Sequence, residues 1–173
     1  MIKFASFIVL LALISCNSGT PAATTTTTDS TKKEVMYPYP IGYSSQFEFI
    51  DPAKGKMILG IWKDYDNNNV DNCKDKFADT VTMIFPEMSM HASRDSIFAA
   101  TKSYRNTFKS VISKVDVVMS VRSTDKKGDW VLVWGDETHT TQNNKTDSVA
   151  LHEVWGLNKD GKIEFMQQYV SKK

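Results

Sequence analysis

Cysteine is scarce in this chain of 173 residues: there are two, Cys16 and Cys73. That number excludes a disulfide framework and any zinc site built mainly of thiolates. Charge of either sign is not in excess, with 21 basic against 20 acidic side chains. A phosphate backbone needs clustered Lys and Arg, so nucleic acid is not expected as a partner. No serine sits in a nucleophile elbow, no glycine loop suits a phosphate, and no histidine pair has the spacing of a zinc helix. No segment repeats, and no cofactor is expected.

The first residues carry an address. Met1 to Ser15 holds one charge, Lys3, followed by an apolar run from Phe4 to Ile14. The run is too short to span a bilayer and fits the apolar region of an export signal. It ends in Leu13-Ile14-Ser15-Cys16, which resembles a bacterial lipobox, where the cysteine thiol is acylated before cleavage makes it the new N-terminus. Residues 1–15 are thus expected to be a lipoprotein signal peptide and Cys16 the lipidation site. The expected location is a membrane, the bacterial outer membrane facing periplasm or surface. Loss of Lys3 leaves 20 charges of each sign. Attachment would then come from acyl chains, each buried methylene contributing about 0.8 kcal/mol, rather than from attraction to headgroups. Cys73, left without a partner, reads as a small buried hydrophobe.

Residues 16–46 read as a tether and an extended lead-in. Asn17 to Lys33 has almost no large apolar residue and includes five threonines, Thr24 to Thr28, so it cannot offset its ordering entropy. Residues 47–173 form the expected domain. Asp51 and Pro52 open a helix whose Ala53, Met57, Ile58, Ile61, Trp62 and Tyr65 lie on one stripe, and which stops near Asp66 ahead of three asparagines. Phe77 to Phe85 alternates as a strand ended by Pro86. Ser93 caps a second helix expected to reach about Ile112, with Tyr104 and Phe108 inside and Arg105 outside. Four β-rich runs follow, Val115 to Arg122, Trp130 to Thr140, Asp147 to Leu157 and Lys162 to Val170, joined at Gly128, Asn144 and Gly161. Helices first and a meander last is an α+β pattern.

The helix with Trp62, the strand Phe77-Ala78-Asp79-Thr80-Val81-Thr82, the helix opening Ser93-Arg94-Asp95-Ser96-Ile97 and the hairpin Leu151-His152-Glu153-Val154-Trp155 with Asn158 to Lys162 together resemble the nuclear transport factor 2-like superfamily. That group includes the SnoaL-like polyketide cyclases and ketosteroid isomerases. The resemblance covers about Asp51 to Tyr169. It implies a cone: two long N-terminal helices packed on a strongly curved antiparallel sheet, with an apolar cavity at the open end and, in many members, dimerisation through the back of the sheet.

The same resemblance places Phe85, before Pro86, where the isomerases carry their catalytic aspartate. A phenyl ring accepts no proton, so isomerase chemistry is disfavoured. Trp62 stands nearest the isomerases' tyrosine donor, and Glu153 takes the place of their second acid. Strand parity draws attention to Glu153 independently, because it shares a face with Val149, Leu151, Trp155 and Leu157. A carboxylate in an apolar row has its pKa raised by desolvation and can give or take a proton near neutrality. His91 is its candidate catalytic partner, and Trp62, Phe85, Tyr104 and Trp155 are candidate pocket walls. Core is the better reading of the tryptophans. His139 and His152 carry less weight, the first near a polar turn, the second on the opposite strand face from Glu153.

Asp64, Asp66, Asn68, Val70, Asn72 and Asp75 fall on positions 1, 3, 5, 7, 9 and 12 of a calcium loop. Asn69 stands where that loop needs glycine, and polar Asp71 stands where an apolar residue packs. The plainer reading of the stretch is a turn. Two functions stay open: a lipid-anchored, noncatalytic module that binds a small apolar ligand or a second copy of itself, and a SnoaL-like enzyme moving protons on a small carbonyl substrate through Glu153.

Overall fold

Asp51 opens the first helix as its side chain suggests: its Oδ1 accepts the Ala53 N–H at 2.8 Å, and helix α1 runs Ala53–Asp66. The computed structural model describes residues 35–173. The expected signal peptide, Cys16 and the Thr-rich stretch lie outside the described residues. Tyr39–Lys173 pack as one unit. After α1 the chain takes a left-handed residue at Asn68 (φ 58°), where asparagine is tolerated, and enters a short 3-10 helix, Val70–Lys76.

The sheet has seven strands: β1 Phe47–Phe49, β2 Phe77–Phe85, β3 Met88–Ser93, β4 Phe108–Ser123, β5 Asp129–Thr141, β6 Thr146–Leu157 and β7 Ile163–Lys172. Their order is β1-β4-β5-β6-β7-β2-β3. Every neighbouring pair is antiparallel except β2 with β7, so the sheet is mixed. Shifts of register in β4, between Phe108 and Ser110 and between Val115 and Val117, bend it. The result is an α+β fold with a curved sheet.

The second helix, α2, spans Arg94–Arg105, opened by Ser93 Oγ accepting the Ser96 N–H. It is shorter than expected, and the chain from Phe108 is strand. Val111, Ile112, Val115, Val117 and Val118 are β-branched and fit a pleated surface better than a helix. The end of α2 also reverses two assignments: Tyr104 is 61% exposed while Arg105 is buried. The segment after Pro86, to which the sequence pattern assigns no element, is strand β3, and β1 comes from the lead-in's border with the domain. Tyr43 and Ser44, read as lead-in, bond to Ser123 and Asp125 in the β4–β5 turn.

The core lies between α1, α2 and the concave face of the sheet. Ile58, Val81, Ile97, Val131, Val133 and Ile163 are its most enclosed side chains. Helix α1 approaches β4 closely at Gly55, whose N–H donates to Ser120 Oγ at 2.9 Å. A Cβ there would sit 2.9 Å from Val118 Cγ2, so this crossing calls for glycine.

Candidate functional site

Glu153 lies in β6 and is 5% exposed. Its nearest strand neighbours are Val133 on β5 and Gln168 on β7. The Trp62 indole N–H, from α1, donates to Glu153 Oε2 at 2.6 Å. Trp155, two residues along the same strand face, donates to the same oxygen at 3.0 Å. Gln168 Nε2 donates to Oε1 at 2.8 Å. Both carboxyl oxygens are therefore engaged by the chain's own N–H donors. Burial pushes the Glu153 carboxyl above its ordinary value of 4.5, and the three hydrogen bonds pull the other way.

Gly135 makes this arrangement possible. It sits on β5, opposite Leu151, and a Cβ on it would fall 2.2 Å from the Lys114 carbonyl and 3.2 Å from Trp62 Cζ3. The missing side chain lets the indole lie against the sheet, with its N–H on Glu153.

A second polar group stands farther along the same face of β5. His139 Nδ1 is 3.3 Å from Glu137 Oε1, and both side chains are largely buried. Burial holds the Glu137 carboxyl up, opposed by His139. Burial and then Glu137 push the Tyr65 phenol up. Arg105 closes this end of the core. Its Nε, Nη1 and Nη2 donate to the carbonyls of Tyr65, Phe108 and Asp66 at 2.7, 3.1 and 2.8 Å, and its guanidinium lies 5.7 Å from the Tyr65 ring centroid.

The residues singled out in the sequence are only partly brought together. Trp62 and Trp155 meet Glu153, as hydrogen-bond donors packed in the core. Phe85, half-buried at the end of β2, packs against the core cluster. Tyr104 projects outward with its ring edge-on to Phe108, so it walls no pocket. His91 is exposed on β3, and its Nδ1 is 2.8 Å from Thr82 Oγ1 across the strand pair; it does not join Glu153. Two clefts, of about 590 and 430 Å³, lie among the described residues, and neither is lined by Glu153.

The residues of the calcium-loop pattern fall on two elements. Asp64 and Asp66 are the end of α1, and Val70 to Asp75 belong to the 3-10 helix. Asp66 accepts the Ser113 N–H and hydroxyl, Asn72 donates to Asp64, Asn68 donates to Asn106, and Asp75 pairs with Lys76. Among the described residues no group of three or more His, Cys, Asp and Glu side chains is placed to hold a metal. Cys73 is buried with its thiol donating to the Val70 carbonyl at 3.1 Å; burial first, then Asp64, push its pKa up to about 11.

On the convex side of the sheet one row crosses four strands: Val117, Trp134, His152 and Tyr169 are register partners. The Trp134 and His152 rings stack at 4.4 Å, and His152 and Tyr169 lie 5.7 Å apart. Val117 is 43% and Tyr169 51% exposed. Ion pairs Lys114–Asp116 and Lys173–Asp136 flank the row.

No protein-family model matches the sequence, and no curated protein matches it. Solved structures do share its fold. A protein assigned as a SnoaL-like polyketide cyclase, from Jannaschia sp. CCS1, superposes with a TM-score of 0.59 at 13% identity, over 70% of this chain and 88% of that one. An NTF2-like protein of unknown function from Exiguobacterium sp. 255-15 gives 0.56 at 11% identity, over 68% of this chain and 99% of that one. An LEH-like epoxide hydrolase from M. tuberculosis gives 0.56 at 9% identity, over 68% and 82%.

Proposed function

We propose that the chain, with the nuclear transport factor 2-like fold those structures share, is a noncatalytic interaction module held at a membrane through acylated Cys16. Its working surface is the convex face of the sheet, and the occupant of that face is a second copy of the chain. The observation that carries this reading is the convex row Val117–Trp134–His152–Tyr169, exposed at its two ends, Val117 and Tyr169, and half-buried between them. An apolar strip bordered by charges is what a protein interface leaves exposed when its partner is absent. The bordering charges pair within the chain, Lys114 with Asp116 and Lys173 with Asp136, so they place no unpaired charge of one sign against a second copy, and most soluble oligomers are symmetric assemblies of one chain.

Size supports the same reading. β6 is 12 residues long, so four strands present roughly 40 Å by 19 Å, about 750 Å² per copy, close to the ~800 Å² of a stable interface. The interior supports the noncatalytic half: the acid there is enclosed, and its oxygens are satisfied by Trp62, Trp155 and Gln168. Light scattering on Val117→Glu/Tyr169→Glu tests the reading. Wild type elutes as a dimer and the variant as a folded monomer; monomeric wild type overturns it. Detergent partitioning of Cys16→Ser tests the anchor, with loss of the detergent-phase protein expected.

A second reading, a SnoaL-like enzyme moving a proton on a small carbonyl substrate, is favoured by one observation, the upward shift that burial gives Glu153. It requires Glu153→Gln to abolish turnover while leaving the fold intact.

A further inference from the structure

A net charge of only +1 over the whole chain conceals a local gathering of cations. A cleft of about 590 Å³ opens at the end of the domain where the β4–β5 and β6–β7 turns meet the first turn of α1, and Lys54, Arg122, Lys127, Asp129, Lys159 and Glu164 are among its lining residues. Four cations against two carboxylates leave it positive.

We propose that this cleft binds a phosphate-bearing anion of headgroup size. The wall is built around Asp129, whose side chain is 9% exposed. Arg122 Nε and Nη2 donate to its two oxygens at 2.5 and 2.9 Å, and Lys54 Nζ lies 3.0 Å from Oδ2. One buried carboxylate thus holds two cations in fixed positions with one positive charge left over. The hydrogen bond from Arg122, with help from Lys54, holds the Asp129 carboxyl below its ordinary range, so it stays ionised. Arg122 Nη1 and the remaining Lys54 protons have no partner among the described residues. A guanidinium edge beside an ammonium is donor chemistry suited to phosphate oxygens.

The turns add two further cations. Lys127 takes a left-handed backbone conformation (φ 59°), as does Gly161 (φ 74°), and these positions set the two rims. Neither Lys127 nor Lys159 makes an ion pair among the described residues, so both ammoniums are available. The chain also enters the domain here: the Tyr43 hydroxyl lies 3.1 Å from Ser123 Oγ and accepts the Trp130 indole N–H at 3.3 Å. Two sources of the same chemistry follow, an anionic phospholipid headgroup and a soluble phosphate compound. Phosphate binding itself depends neither on acylation nor on the dimer.

The test uses the full chain carrying Cys16→Ser, so that no acyl chain contributes, with and without Lys127→Gln/Lys159→Gln. Inorganic phosphate is titrated at low ionic strength while amide spectra are recorded. The expected result is one saturable site that shifts the Gly128 and Gly161 amides and weakens by about 25-fold in the double variant, the worth of two lysines beside an anion. The variant's unchanged melting temperature separates lost binding from lost folding. Flotation with phosphatidylglycerol–phosphatidylcholine vesicles but not with phosphatidylcholine alone identifies a headgroup. Saturable phosphate binding without flotation identifies a soluble ligand. Absence of saturable binding in both arms, shifts confined to other residues, or full binding by the double variant overturns the proposal.

Discussion

The indole N–H of Trp62 reaches Glu153 at 2.6 Å, although the two residues are 91 positions apart. This bond ties α1 to the middle of the sheet, and Trp155 donates to the same oxygen. The carboxyl therefore works as an acceptor at a helix–sheet junction. Glu153→Ala leaves two indoles and the Gln168 amide without their acceptor in the core and is expected to cost about 3 kcal/mol. Glu153→Gln keeps an oxygen for both indoles and is expected to stay within about 1 kcal/mol of wild type at neutral pH. Urea denaturation measures both; equal losses would remove the hydrogen-bonding explanation.

Stability should depend on pH through the same carboxyl. Burial raises its pKa in the fold above the ordinary 4.5, so the folded state holds the proton more tightly than the unfolded chain. Its contribution is then complete below pH 4.5 and is lost as pH rises through the folded value. The melting temperature of Glu153→Gln relative to wild type is therefore expected to rise between pH 4.5 and pH 8. A flat difference across that window would show that the hydrogen bonds outweigh burial.

Gly135→Ala should disturb this junction without removing a polar group. The new methyl meets the Lys114 carbonyl at 2.2 Å and the Trp62 ring at 3.2 Å, and overpacking of this kind costs about 2 kcal/mol or more. The Trp62 environment should change with it, read as a shift in tryptophan emission. Wild-type stability and emission together would mean that the strand relaxes freely at the β4 bulge.

Arg105 is a buried cation that makes no ion pair among the described residues; carbonyls of Tyr65, Asp66 and Phe108 hold it. Two of these are the last carbonyls of α1, where a cation is favourable. Arg105→Met is expected to lose about 3 kcal/mol, because the carbonyls stay buried without donors. Native-state hydrogen exchange should localise the loss to the C-terminal turn of α1 and the start of β4.

Much of this was legible in the sequence because period and turn chemistry are local. The α1 stripe, the β2 alternation and the turns at Gly128, Asn144 and Gly161 needed only neighbours to be read. The inward row Leu151, Glu153, Trp155, Leu157 followed from strand parity. The end of α2 was not legible, since Phe108 to Val111 satisfies a helical stripe and a strand face alike; pairing with β5 decided it. Strand β3 was hidden for the same reason: its sequence Met88–Ser93 has little β character and is held by β2. Gln168 and Glu137 were missed because only register brings them to the interior; the α1 stripe already placed Tyr65 inside, but only packing brings it near Glu137. Gly135 was the available signal: a glycine inside a strand marks a close approach.

Sedimentation equilibrium over a range of protein concentration tests most directly whether the convex face is occupied by a second copy. Wild type is expected to fit a monomer–dimer equilibrium with a Kd of roughly 1 μM or below, and Val117→Glu/Tyr169→Glu to remain monomeric throughout with an unchanged circular dichroism spectrum. A wild-type chain that stays monomeric at the highest concentration, or a double variant that dimerises as tightly, would contradict it.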